Sequence, residues 1–177
     1  PVGDDGVEHV KNLSNLQYLN LHFTQVSAAG LLYLKGLSKL QTLHLSATQV
    51  ADAGLAHLKG LSNLQALYLD HDIRVTDAGL VHLKTLTNLR VVSFGETNIG
   101  DAGLIHLNGL VELQELGLWK TRITDAGLAH LKGLTKLQKL VLQDSEVSDA
   151  GLEHLKELKN LQELWLGGTR VTDAGVK

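Results

Sequence analysis

Cysteine is absent from this 177-residue chain, and proline occurs only once. The lack of cysteine excludes disulfide bonds, thiolate zinc sites and a cysteine nucleophile, but it leaves the compartment undetermined, because secreted repeat proteins do not require disulfides. No stretch approaches the run of about 18 apolar residues that a membrane span needs, and no basic-then-apolar leader precedes the repeats. We therefore expect neither a membrane span nor a secretory signal.

An excess of positive charge is also lacking, since 16 basic residues face 19 acidic ones and the formal net charge is −3. The lysines recur with the repeat instead of clustering, so we expect no basic surface for phosphates and no nucleic-acid partner. No phosphate-binding loop, nucleophile elbow or His-Glu-x-x-His motif is present. The sequence therefore predicts a protein that is not an enzyme and that uses no cofactor or metal.

The chain does contain a leucine-rich unit that returns every 24 residues, with one extra residue in the third copy. Such self-similarity is typical of a solenoid, so we interpret residues 1–177 as a single solenoid domain. Both ends fall inside a unit and neither is a polar cap, which suggests a fragment of a longer chain with flanking domains or end-to-end association. The predicted units are a half repeat at 1–12, full repeats at 13–36, 37–60, 61–85, 86–109, 110–133 and 134–157, and a truncated repeat at 158–177.

Each unit combines one short strand with one short helix. Leu43 and Leu45 alternate with polar residues as in a half-buried strand, and Leu55 and Leu58 lie three apart on one helical face. Parallel strands pair at about 4.8 Å, whereas helices pack no closer than about 8 Å, so the stack must bend toward its strands. We predict an α/β fold, a right-handed curved solenoid with a parallel sheet on the concave face and short helices on the convex face.

Small residues recur at both ends of each predicted helix. A hydroxyl side chain can cap the first turn, the aspartate after it favours the positive end of the helix dipole, and a later glycine suits a left-handed exit. Another glycine recurs within the first turn, where we expect it to allow close approach of the next unit's backbone. The capping residues are Ser27, Thr76, Thr124, Ser148 and Thr172, the exit glycines are Gly36, Gly60, Gly109 and Gly133, and the glycines of the first turn are Gly6, Gly30, Gly54, Gly79, Gly103, Gly127, Gly151 and Gly175.

The strand followed by Thr-x-Val/Ile-Thr-Asp-Ala-Gly-Leu-x-x-Leu resembles the leucine-rich repeat family over the whole chain. Its Thr-Asp-x-Gly-Leu segment is similar to the cysteine-containing repeats of F-box proteins and their bacterial relatives, which implies a substrate adaptor of the ubiquitin-ligase type. The chain departs from the family where Asn or Cys is expected after the strand, and a hydroxyl ladder would replace the asparagine ladder. The residues at this position are Thr24, Thr48, Asp72, Thr97, Thr121, Ser145 and Thr169.

The copies differ most at the outward positions of the strands, which packing leaves free for a ligand. Five of the seven aromatic residues fall there, and exposed Trp and Tyr are common interface anchors. We expect Gly95, Gly117 and Gly167 to leave room for a partner around the indoles, and we predict recognition of a protein or peptide, with a glycan as the alternative. The predicted ligand-binding residues are Tyr18, His22, Phe23, His44, Tyr68, Asp70, His71, Trp119, Lys120, Arg122, Trp165 and Arg170.

Histidines recur on the predicted helices, but we expect them to fill space there. Neighbouring helices lie about 8–10 Å apart, whereas two nitrogens on one zinc ion lie within about 3.5 Å of each other. On the strand side, His22 and His44 with Asp70 offer a two-His-one-carboxylate site as an alternative. The extra residue within Asp70–Arg74 is interpreted as tolerated drift. The helical histidines are His9, His57, His82, His106, His130 and His154.

Overall fold

The computed structural model describes residues 2–176, so Pro1 and Lys177, the outermost residues of the predicted first and last units, lie outside it. Seven short strands form one parallel sheet in which strand order follows chain order. The sheet is not closed into a barrel, and the predicted solenoid is confirmed. The strands are β1 (Tyr18–Asn20), β2 (Thr42–His44), β3 (Ala66–Tyr68), β4 (Val91–Ser93), β5 (Glu115–Gly117), β6 (Lys139–Val141) and β7 (Glu163–Trp165).

The helices line the opposite side of the sheet, and each is only one or two turns long. From α2 onward, a single α-helical turn continues directly into a 3₁₀ turn, whose three-residue period matches the spacing of Leu55, Leu58 and Leu61. The α-helices are α1 (Asp4–Glu8), α2 (Ala28–Leu31), α3 (Asp52–Leu55), α4 (Asp77–Leu80), α5 (Asp101–Leu104), α6 (Asp125–Leu128) and α7 (Asp149–Leu152). The 3₁₀ helices are Leu32–Leu34, Ala56–Gly60, Val81–Leu83, Ile105–Leu107, Ala129–Leu131 and Glu153–Leu155.

The core is a layer of leucine side chains between the sheet and the helices. Leu43, Leu67 and Leu140 are fully buried from the strands, and Leu55 and Leu80 meet them from the helices. Each buried leucine contributes roughly 1.5–3 kcal/mol relative to leaving it exposed. Because every unit supplies the same layer, burial depends on the stacking of one unit on the next.

Aspartates in the first helical turn link neighbouring units. Asp101 accepts two hydrogen bonds from Thr124 of the next unit, one from its backbone N–H at 2.8 Å and one from its hydroxyl at 2.6 Å. Thr124 Oγ1 in turn accepts from the N–H of Ala126, so it caps α6 as predicted. The dipole alone does not account for these aspartates, because each joins the start of its own helix to the residue that precedes the next helical turn. The bidentate pairs are Asp4–Ser27, Asp52–Thr76, Asp101–Thr124, Asp125–Ser148 and Asp149–Thr172.

The predicted helix caps are confirmed at Ser27, Thr76 and Thr124, each of which accepts a hydrogen bond from the N–H two residues later. Thr172 accepts the same bond from Ala174, but it opens a turn, because no helix follows it among the described residues. Ser148 makes no such bond, and its hydroxyl serves only the link to Asp125.

Glycine in the first turn is required by this same contact. A Cβ on Gly79 would lie 2.5 Å from a carboxylate oxygen of Asp52 and 3.2 Å from the Asp52 Cα. Both distances are shorter than an ordinary van der Waals contact, so a side chain at this position would displace the Asp52 backbone or its carboxylate. Close approach is confirmed, but the neighbour is the preceding unit and its aspartate is the nearest group.

The predicted left-handed exits at Gly36, Gly60, Gly109 and Gly133 are wrong. Within residues 2–176, the only glycine with a positive φ is Gly168. The α turn runs on into a 3₁₀ turn, which satisfies the last carbonyls without a left-handed residue.

The threonines after the strands bond locally. The hydroxyls of Thr24, Thr97, Thr121 and Thr169 each donate to the carbonyl oxygen three residues earlier, at 2.6–2.7 Å, within their own unit. They hold the chain at the strand end, as expected for a hydroxyl that bonds the loop backbone, but these bonds do not connect one unit to the next.

Asp72 is the exception at this position of the repeat. It is buried, and it belongs to the unit that contains the extra residue. Its Oδ1 accepts from the N–H of Thr48 at 2.9 Å and from the Thr48 hydroxyl at 3.3 Å, whereas Oδ2 is buried without a protein partner. Burial, opposed by the bonds from Thr48, raises the pKa of Asp72 to about 7.

The Asp–hydroxyl link can be tested where the chain lacks it, because Ala28 and Ala51 replace both partners of one pair. We expect Ala28→Asp with Ala51→Thr to raise the free energy of unfolding by about 1.5–3 kcal/mol, the scale of hydrogen bonds to a charged group. Chemical denaturation of the double variant and both single variants measures the coupling. Ala29→Asp is the control, because it adds the same charge to the same turn without reaching Ala51. An equal gain from that control would assign the effect to the helix dipole.

Asp72 predicts a specific dependence of stability on pH. Its pKa is higher in the folded chain than its ordinary value of 3.8, so the folded state binds more protons between about pH 4 and 7. The free energy of unfolding therefore falls as pH rises through this window, by at most about 1.4 kcal/mol per pH unit. Asp72→Asn removes this contribution, so the difference between wild type and variant isolates it from the histidines. Parallel pH profiles for the two proteins would contradict the assignment.

Candidate functional site

A groove of about 360 Å³ crosses the concave face from β3 to β7. One row of outward positions crosses these strands in register, with Ser93 and Gly117 in its middle and Tyr68 and Trp165 at its ends. Small residues between two aromatic ones give the groove its depth. The lining residues are Tyr68, Val91, Val92, Ser93, Glu115, Leu116, Gly117, Trp119, Lys139, Val141, Gln143 and Trp165.

Trp165 is the accessible anchor of this groove, with 45% of its surface exposed. Its indole N–H donates to Glu163 at 3.3 Å, and Lys139 Nζ lies 5.1 Å from the ring centroid. Lys139 also pairs with Glu163 at 3.1 Å, and the bonds from Lys139 and Trp165 lower the pKa of Glu163. Glu163 and Lys139 thus orient the indole, and nearly half of the Trp165 surface remains exposed to solvent.

Trp119 packs more tightly, because it lies directly over Gly95. A Cβ on Gly95 would overlap the indole, so the expectation that this glycine leaves room for a partner is wrong. The space beside Gly117 is likewise taken by the Ser93 hydroxyl, 2.5 Å from where a Cβ would stand. Trp119 is half-buried, with the His71 ring edge-on at 5.2 Å and Lys120 Nζ 5.7 Å from its centroid.

Tyr68 forms the other wall of the groove and is half-buried. Burial, reinforced by the negative charge of Glu115, raises the pKa of Tyr68. A protonated phenol can both donate and accept a hydrogen bond.

A row of left-handed residues forms the rim of the concave face, one in each unit just after the strand. L-amino acids in this conformation cost roughly 1–2 kcal/mol, yet six of the seven are not glycine. Each N–H of these six donates to a carbonyl of the next unit, as in Lys120 to Gln143 at 2.7 Å, which holds the conformation in place. The row consists of Phe23, Ala47, His71, Glu96, Lys120, Asp144 and Gly168.

Charged side chains of this rim pair along the row. Glu96 accepts from Lys120 at 2.6 Å and contacts His71 Nδ1 at 2.7 Å, and these two hydrogen bonds lower the pKa of Glu96. The periodicity placed His71 and Lys120 on the concave side but gave no sign of the positive φ, because lysine does not favour it and the preference of histidine is too weak to predict it.

The first three strands carry an aromatic cluster that meets the groove at Tyr68. The Tyr18 and His44 rings lie 5.3 Å apart, and the His44 and Tyr68 rings stack in parallel at 4.2 Å. Burial, with the charge of His22, lowers the pKa of His44. His22 contacts the Ser46 carbonyl at 2.9 Å and the Phe23 ring at 4.1 Å.

Asp70 is engaged inside the protein and does not serve as a free acceptor. Its Oδ1 accepts from the Ser93 hydroxyl at 2.5 Å and from the Gly95 N–H at 2.8 Å, and Oδ2 from the Ser46 hydroxyl at 3.3 Å. Across residues 2–176, no group of three His, Cys, Asp or Glu side chains could hold a metal ion. The His22, His44 and Asp70 corner is therefore not a metal site in this structure.

The twelve predicted ligand-binding residues divide into separate places. Tyr68, Trp119 and Trp165 line the groove, whereas the two arginines lie in exposed loops outside it. Arg122 donates to Asn98 at 2.9 Å and Arg170 pairs with Glu146 at 3.1 Å. The other predicted residues, Tyr18, His22, Phe23, His44, Asp70, His71 and Lys120, surround the groove without lining it. The other nine lining residues were outside the prediction, although the strand register indicates several of them, among them Lys139, Val141 and Gln143.

A stack of strand–helix units with its core between the two layers defines a solenoid repeat protein. A family model for a leucine-rich repeat region matches residues 2–174. The chain belongs to the leucine-rich repeat family, whose members generally mediate protein–protein interactions and are typically non-enzymatic scaffolds. Among the described residues, no helix has both the length and the apolar character needed to cross a membrane.

Solved structures share this fold. An internalin C2 from Listeria monocytogenes is 30% identical with a TM-score of 0.73, over 94% of this chain and 76% of that chain. An internalin (inlF) from the same organism is 20% identical with a TM-score of 0.51, over 88% of this chain and 55% of that chain, and it supports the fold alone. A search of curated proteins found no significant match.

The left-handed rim predicts a stabilising substitution at Ala47, whose φ is 56°. Ala47→Gly removes the steric cost of the left-handed conformation, roughly 1–2 kcal/mol, against a loss of chain entropy of about 0.5–1 kcal/mol. We expect a net gain of up to about 1 kcal/mol in the free energy of unfolding, measured by denaturant titration. Ala53→Gly, an exposed helical residue of the same unit, should instead destabilise. A loss of stability in both variants would show that the rim is not strained.

Proposed function

We propose that the concave groove between β3 and β7 binds a segment of a partner protein, with Trp165 as the main anchor. The observation that carries this proposal is the half-exposed indole of Trp165 at the edge of an apolar groove with a small-residue floor. Tryptophan is among the most frequent contributors of binding energy at protein interfaces, and the family generally binds proteins.

The charges beside the groove favour a ligand with basic groups. Lys120 and Lys139 are neutralised by Glu96 and Glu163. Glu115 makes no ion pair among residues 2–176, and its carboxylate lies in the groove lining. A lysine or arginine of the ligand beside an apolar side chain therefore complements both Glu115 and the indoles.

Two alternative ligands or roles are outcomes of the same test. The open face of the Trp165 indole also suits stacking on a sugar ring, which favours glycan recognition. The Thr-Asp-x-Gly-Leu resemblance to F-box-associated repeats favours a substrate-adaptor role, in which the ligand is again a protein. Flanking domains or end-to-end association are part of the same proposal, because they would determine which other molecules a bound ligand meets.

Peptide selection with a matched pair of variants tests the proposal. A phage-displayed library of random peptides is selected on the protein, and the dissociation constants of enriched peptides are measured by titration. We expect Trp165→Ala to weaken binding at least tenfold, about 1.4 kcal/mol, while the melting temperature changes little because the ring is exposed. Trp119→Ala should lower both the affinity for the peptide and the melting temperature, since its indole fills the space over Gly95.

Phe23→Ala is the matched control for the groove. Phe23 is an exposed aromatic residue on the same face, 74% exposed, and it lies outside the groove lining. Equal losses from Phe23→Ala and Trp165→Ala would contradict the assignment to the groove. A glycan array that yields ligands sensitive to Trp165→Ala, with no peptide enriched, would replace the protein ligand by a sugar.

A further inference from the structure

A row of apolar side chains crosses the convex face at the start of the 3₁₀ helices. Leu32, Val81 and Ile105 are 46%, 40% and 50% exposed, and the half-buried Ala56 and Ala129 occupy the second and fifth positions of the row. These five residues, the convex stripe, occupy equivalent positions in consecutive units. Because the 3₁₀ helices stack in chain order, the stripe runs on across five units.

A second row, of lysines, lies beside the convex stripe. Lys35, Lys59, Lys84 and Lys132 each follow a stripe residue by three positions, and side chains three apart eclipse in a 3₁₀ helix. In the remaining unit of the stripe, Asn108 takes this place. None of the four lysines pairs with a carboxylate in the described part of the chain.

In each of the two units that flank the stripe, the lysine forms an ion pair with a glutamate. There the stripe position is glutamate, and Glu8 pairs with Lys11 at 2.8 Å while Glu153 pairs with Lys156 at 2.6 Å. The same position is therefore acidic on either side of the stripe and apolar within it. Between these two units lies a surface of five units in which lysines lie beside apolar side chains. Among the described residues, these lysines have no carboxylate partner.

Two histidines next to the lysines are consistent with this uncompensated charge. Burial, with the positive charge of Lys35, lowers the pKa of His57, and burial with Lys84 does the same for His106. Each lysine thus lies near the histidine of the following unit, and both imidazoles are biased toward the neutral form.

We propose that the convex stripe and its lysines form a second docking surface, for an extended protein segment that alternates acidic and apolar residues. Successive side chains of an extended segment point to opposite sides, so one running between the two rows can offer apolar groups to one and carboxylates to the other. This surface faces away from the concave groove and is independent of the function proposed for it.

An anionic membrane is the competing partner, and the stripe does not favour it. Interfacial binding to lipid depends on large apolar groups such as Trp, Phe and Leu that enter the acyl boundary. The stripe contains no aromatic residue, and two of its five members are alanines. Surface complementarity with a protein segment needs no such depth.

The direct test uses labelled peptides that alternate glutamate with leucine or valine, with lysine-for-glutamate peptides as the charge-inverted probe. We expect saturable binding of the acidic peptides that weakens as salt is raised, and none of the inverted ones. Leu32→Glu with Val81→Glu should weaken binding at least tenfold, because each new glutamate pairs with the lysine three residues later. The variant should fold, since the chain itself has glutamate at this position in Glu8 and Glu153.

Two control variants show whether the peptide binds at the convex stripe or elsewhere on the solenoid. Ser38→Glu with Thr87→Glu adds the same charge to the next units' exposed positions outside the stripe and should leave binding unchanged. Trp165→Ala should also leave binding of the acidic peptides unchanged. A failure of the convex-stripe proposal can therefore be distinguished from a failure of the concave-groove proposal. The proposal is overturned by absence of saturable peptide binding, by equal effects of both double variants, or by stronger binding to vesicles of equimolar phosphatidylcholine and phosphatidylserine than to the peptides.

Discussion

The contact on which the structure depends is the one between an aspartate in the first helical turn of one unit and the start of the next helix. Asp101 holds the N–H and the hydroxyl of Thr124, and Gly127 lets the two turns come together. Where the aspartate is missing, at Ala28, the hydroxyl of the next unit is missing as well, at Ala51. At Gly100 only the hydroxyl is missing, and Asp77 still accepts from the Gly100 N–H at 2.7 Å, so the bond from the backbone N–H is the more constant part of the link.

The units are held together by the leucine layers, by backbone hydrogen bonds and by the Asp–hydroxyl link. The residues on the two outer surfaces are therefore free to differ between units. On the concave face, the freedom produces a groove with Trp165 and Tyr68 at its ends. On the convex face, it produces an apolar row with unpaired lysines between two neutralised units. The left-handed rim adds to the concave surface, since a conformation usually left to glycine carries His71, Glu96 and Lys120.

Much of the fold could be predicted, because it depends on local patterns. Alternating leucines predicted the strands, hydroxyl residues predicted three helix caps, and the glycine of the first turn predicted close approach. The links of Asp101 and its equivalents were attributed to the helix dipole, because sequence separation hides a partner in the next unit. The indole of Trp119 over Gly95 and the engagement of Asp70 depend on side-chain direction across strands, which residue type does not reveal. The unit boundaries and the ligand stay predictions.

The central claim, that ligands occupy the concave groove, can be measured without changing the protein. The chain has two tryptophans, and both line the groove. A ligand seated there removes water from the exposed indole of Trp165, so we expect a saturating amount of a selected peptide to shift the tryptophan emission to shorter wavelength and to protect it from iodide quenching. Saturable binding with unchanged emission and unchanged quenching would contradict the claim, because the ligand would then lie elsewhere on the solenoid.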